Sequence, residues 1–89
     1  MAKAEISWTR VNEDGEKIRC YAQHIGKQWV FKTRSRRFDQ WELVEHPPLE
    51  DWLELLDSVQ RRVARMLLPP EEEIRVKRMI LERFPEHKF

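Results

Sequence analysis

KIRCYAQHIGKQWVFKTR, residues 17–34, decides the fold. In its first half Ile18, Cys20, Ala22 and His24 fall on one side of an extended chain. In its second half Trp29, Phe31 and Thr33 do the same. Period-two alternation rich in β-branched and aromatic residues is the signature of a half-buried strand. Between the halves lies Gly26-Lys27. As a two-residue loop it carries glycine at the first central position, where a type II′ turn needs a positive φ. That loop pairs Ile25 with Gln28, Ala22 with Phe31 and His24 with Trp29, so the apolar faces coincide. A slip of one residue would turn one strand's apolar set to the wrong side.

The same test extends the hairpin towards the N-terminus. Residues 5–11 alternate with Ile6 and Trp8 on one face. A two-residue Asp14-Gly15 turn would set Trp8 opposite Tyr21 and Ile6 opposite Gln23, mixing faces. A three-residue loop, Glu13-Asp14-Gly15, with Gly15 in the left-handed position, sets Trp8 opposite Cys20 and Ile6 opposite Ala22, and is preferred for that reason. Residues 40–45 place Trp41 and Leu43 on one face, which predicts a fourth strand. The expected inward set is therefore Ile6, Trp8, Ile18, Cys20, Ala22, Trp29, Phe31, Trp41 and Leu43.

Both glycines lie in the first third of the chain and all five prolines after residue 46. Glycine serves hairpin turns and proline serves helix starts, so strands come first and helices second. In Leu49–Leu67 a stripe at helical spacing runs through Trp52, Leu55, Leu56, Val59, Val63, Met66 and Leu67. Acids fill the first half of that segment and Arg61, Arg62 and Arg65 the second, matching the helix dipole. Pro69-Pro70 ends it and starts another helix, with Glu71–Glu73 in the first turn. Ile74, Val76, Met79, Ile80, Leu81 and Phe84 form its apolar side, and Pro85 stops it. The reading is an α+β fold: an N-terminal antiparallel β-meander of three to four strands (about 5–11, 17–25, 28–34 and 40–45), then two amphipathic helices (about 48–67 and 70–84) packed on one sheet face. Residues 1–89 are expected to form a single domain, with 1–4 and 86–89 frayed.

Composition narrows the function. Seventeen basic against sixteen acidic residues leave a net charge of +1, with no bias of the whole chain towards nucleic acid or membrane. A single cysteine excludes an internal disulfide, which suits a reducing, cytoplasmic setting. The N-terminal segment carries no signal-peptide pattern and no apolar run is long enough to span a bilayer.

Gly26–Phe38 holds Lys27, Lys32, Arg34, Arg36 and Arg37 and no acid, with Trp29, Phe31 and Phe38 interleaved. The register puts Arg19, Tyr21, Lys32 and Arg34 on the outward sheet face, with Arg19 opposite Arg34. Like charges directly opposed in a sheet are unfavourable, a cost that a nearby acid such as Glu42, solvent or an anionic partner can offset. Cations beside a planar ring suit a phosphate backbone and a stacked base. These residues, with Arg36 and Arg37 in the 32–37 hairpin, are the candidate anion or nucleic-acid site. The competing explanation is that strand-edge cations only keep a small sheet soluble. If Trp29 and Phe31 point inward, the patch is charge alone.

The remaining chemistry is sparse. Cys20 and His24 share a face but lie roughly 13 Å apart at strand rise, too far for one metal, and no paired Cys or His spacing exists. The serines lack a nucleophile-elbow context, no phosphate-binding glycine loop appears, and so small a domain leaves little room for a substrate pocket. No catalytic residue, cofactor, metal site or small-molecule substrate is expected. Broad apolar arcs on both helices instead suggest burial against a second surface. The expected function is a small non-catalytic protein-interaction or accessory module that associates with a protein partner or with itself. The alternative is a nucleic-acid-binding domain using the basic outer sheet face and the 32–37 hairpin.

Overall fold

The computed structural model describes residues 5–26, 28–35 and 40–89. Strands β1 (Glu5–Val11), β2 (Lys17–Ile25), β3 (Gln28–Ser35) and β4 (Glu42–Val44) form one antiparallel sheet in the order β1-β2-β3-β4. Helices α1 (Leu49–Ala64) and α2 (Pro70–Arg83) follow, giving an α+β chain with an N-terminal meander. The chain divides between Pro47 and Pro48 into two compact units, a sheet and a helix pair. Among the described residues no helix is long and apolar enough to cross a membrane.

Turn chemistry sets the first two registers. Gly15 has φ +80°, and its N–H donates to the Asn12 carbonyl at 3.0 Å. The Asn12 side-chain oxygen accepts from the backbone N–H of Asp14 and of Glu16, each at 2.9 Å. This three-residue loop places Trp8 opposite Cys20 and Ile6 opposite Ala22. Gly26, at φ +60°, opens the second hairpin, which pairs Ile25 with Gln28 and Ala22 with Phe31. Ile6, Cys20, Ala22, Trp29 and Phe31 are buried on one face of the sheet. Trp8 meets the Phe31 ring edge-on at 6.0 Å there.

The fourth strand departs from expectation. It spans only Glu42–Val44, and Phe31 pairs with Val44, Lys32 with Leu43 and Thr33 with Glu42. Trp41 and Leu43, expected inward, therefore stand on the same side as Lys32 and Arg34, and are 39% and 60% exposed. The cause is loop parity. Continuing the register sets Ser35 opposite Gln40, leaving four residues, 36–39, between them. An even count sends odd-numbered Trp41 to the side of even-numbered Arg34. Hydrophobicity pointed inward, but the pairing decided otherwise.

In the helical unit, α1 buries Trp52, Leu55, Leu56 and Val59, spaced three and four apart on one stripe. α2 buries Val76 and Ile80, one turn apart. The helices pack together, and the Arg83 guanidinium lies 4.9 Å from the Trp52 ring centroid, joining the end of α2 to the start of α1. Both N-caps are prolines, Pro48 and Pro69, and acids fill both first turns, where the helix dipole favours them. α1 ends sooner than its apolar pattern predicts. The N–H of Leu67 donates to the Arg62 carbonyl at 2.8 Å and that of Met66 to the Val63 carbonyl at 3.0 Å, with Met66 at φ +61°. This is a Schellman closure with methionine in the place glycine usually takes. Met66 and Leu67, assigned to the core stripe by spacing, are 92% and 66% exposed because they lie beyond that closure. Ile74 and Leu81, also expected in the apolar side, are 58% and 40% exposed.

Candidate nucleic-acid interface

The open face of the sheet is assembled row by row from the pairing. One row runs Thr9, Arg19, Arg34, with Trp41 reached by continuing the register one step past Glu42. The next runs Ser7, Tyr21, Lys32, Leu43. Adjacent strands lie about 4.8 Å apart, so each row is roughly 14 Å across. Cations occupy the two middle strands, hydroxyls the β1 edge and apolar groups the β4 edge.

Within this face the side chains touch in a chain. Tyr21 meets Trp41 edge-on, with ring centroids 4.7 Å apart and planes at 86°. The Arg34 guanidinium carbon lies 5.2 Å from the Trp41 centroid, and Lys32 Nζ lies 5.9 Å from the Tyr21 centroid. Both distances fall within the range where a cation is attracted to the ring quadrupole. Arg34 stands directly opposite Arg19. Glu42, a candidate for offsetting that opposition, pairs with Thr33 on the other face and does not do so. The Arg34 guanidinium instead rests over the Trp41 ring, on the β4 side of the pair.

Charge on the face is lopsided. Alternation from the register places Lys17, Arg19, Lys32 and Arg34 there, against one carboxylate, Glu5, among the described residues. Glu5 sits a full row beyond Tyr21 and accepts a hydrogen bond from the Gln23 side chain at 3.4 Å. Between these groups lies an open concavity of about 760 Å3, lined by Glu5, Ser7, Thr9, Arg19, Tyr21 and Trp41 among others. The sheet unit thus carries an open hollow on its exposed face, where so short a chain predicts little room for one.

Arg19, Tyr21, Lys32 and Arg34 are brought together as the sequence predicts. Arg36 and Arg37 lie outside the described residues. Trp29 and Phe31 are buried, so the aromatics that interleave the basic stretch are not those of the face. Trp41 was missed as a member of it. No turn signal in the sequence sets the register between β3 and β4, and the apolar character of the side chain pointed the other way.

Elsewhere the candidates stay apart. Cys20 is buried, and its Sγ approaches the Ile18 carbonyl at 3.9 Å. His24 packs its ring against Trp29 at 5.0 Å. Among the described residues no group of three His, Cys, Asp or Glu side chains is placed to hold a metal ion. Comparison with known proteins finds no matching family model, no matching curated protein and no matching solved structure.

Proposed function

We propose that the protein is a nucleic-acid-binding domain whose open sheet face grips phosphates with Arg19, Lys32 and Arg34. One observation carries the reading: Arg34 stacks on an exposed Trp41 that itself abuts Tyr21, on a face with a strong excess of positive charge. Cations kept only for solubility need no ring beneath them. A face that meets phosphates and bases uses both. The burial of Trp29 and Phe31 would have left charge alone, and Trp41 restores the aromatic half of the pattern. The reading involves no chemical step, cofactor or metal.

The test is binding of a labelled oligonucleotide by fluorescence anisotropy over a salt series. If these three cations each neutralise a phosphate, log affinity falls against log salt with a slope of about −2 for a single strand. Replacing Arg19, Lys32 and Arg34 together by serine should abolish binding at low salt. Absence of binding by the unmodified protein at low salt would sink the proposal.

A second reading, a protein-interaction or self-associating module, draws on α2. Ile74 and Leu81 are exposed two turns apart on one side of the helix, bordering a shallow hollow of about 460 Å3 with Lys77, Arg78 and Glu82. Sedimentation equilibrium checks it. Dimer formation lost on replacing Ile74 and Leu81 by lysine supports it, and a monomer at all concentrations argues against self-association.

A further inference from the structure

Resting on the nucleic-acid reading, we infer that the strand bound is single, with an unpaired base stacked on Trp41. Duplex and single strand present the same phosphates but differ in what else they offer. In a duplex the bases are stacked on each other, and a protein reaches only their edges in a groove. A single strand can turn the flat of a base onto an aromatic ring.

The open face suits the second. Its exposed aromatic is an indole at the sheet edge, where a base can approach without entering a groove. Tyr21 abuts that indole at 4.7 Å and Arg34 at 5.2 Å, so its orientation is set before any ligand arrives. Little side-chain entropy then remains to be lost on stacking. Arg19 and Lys32 stand one strand or one row from Arg34, close enough to hold the phosphates flanking a base on Trp41. The nearest carboxylate of the face, Glu5, lies at the opposite edge, away from that base position. Among the described residues the sheet unit carries no helix to lay in a major groove, and the Trp41 ring and the cations lie on the face of a four-stranded sheet, broader than the two-stranded ribbon a groove admits.

The experiment compares four probes of about 12 nucleotides in length or equivalent charge: an oligothymidine, an oligouridine, a duplex and an abasic oligonucleotide that keeps the phosphates without bases. Affinities at low salt are measured for the unmodified protein, Trp41→Ala and Trp41→Phe. The expected result is that both single strands bind about tenfold or more tighter than the duplex and the abasic probe. Trp41→Ala should weaken single-strand binding about 5- to 150-fold, the range for losing one base–ring stack, and leave the abasic probe within about twofold. Trp41→Phe keeps a ring and should recover most of the loss, which separates stacking from a folding defect. Trp41 is exposed, Trp8 is half-buried and Trp29 and Trp52 are buried, so single strands should also quench tryptophan emission, and most of this quench should be lost in Trp41→Phe. Equal affinity for all four probes, or no response to Trp41→Ala, overturns stacking while leaving phosphate binding intact. No binding to any probe overturns the nucleic-acid reading itself.

Discussion

Met66→Gly should make the protein more stable, although it removes a large apolar side chain. Met66 holds φ +61° at the end of α1, where the chain must turn left-handed to close the Leu67–Arg62 and Met66–Val63 hydrogen bonds. For a residue with a Cβ that conformation costs roughly 1–2 kcal/mol. Glycine adopts it freely but loses more entropy on folding, about 0.5–1 kcal/mol. The side chain itself is 92% exposed, so its removal forfeits almost no buried area. The balance is a gain of about 0.5–1 kcal/mol, or roughly 2–8 °C in Tm for a chain of this size. Thermal and urea unfolding followed by far-UV circular dichroism measure it. Met66→Ala is the control: it removes the same contacts but keeps the Cβ, and should lie within about 0.5 kcal/mol of the unmodified protein. If Met66→Gly is no more stable than Met66→Ala, the left-handed closure carries no strain and the reasoning fails.

Further substitutions probe the β1–β2 loop and the helix pair, each within its own unit. Asn12→Ala removes the acceptor for two backbone N–H groups in the β1–β2 loop and should cost about 1–2 kcal/mol in urea unfolding, whereas Asn12→Asp, which keeps the oxygen, should cost less. Equal losses would show that the loop does not depend on that oxygen. In the helices, Arg75 pairs with Glu72, whose carboxylate is buried, while Arg61 pairs with Asp57 at 2.7 Å in an exposed position. Arg75→Met should therefore destabilise by about 1–3 kcal/mol and Arg61→Met by less than about 0.5 kcal/mol. Similar costs for the two would contradict the difference in burial on which the comparison rests.

What the sequence determined by itself was whatever short-range chemistry dictates. The order of strands and helices followed from period-two and 3.6-residue patterns and from the separation of glycines and prolines. The registers of the first two hairpins followed from Gly15 and Gly26, because a tight turn leaves one pairing that keeps both apolar faces together. Arg19, Tyr21, Lys32 and Arg34 were placed on a common face by the same argument. The pairing of strands across residues 36–39 decided the rest. A longer connection does not announce its register, and one residue of difference moves Trp41 from core to surface. The apolar character of Trp41 and Leu43 argued for burial, yet the ladder with β3 set them beside Lys32 and Arg34. The end of α1 was likewise hidden, because a left-handed methionine closes the helix where the apolar stripe would have carried it on. Local turn chemistry thus built the basic face, while the pairing of β4 with β3 placed the Trp41 ring beside it.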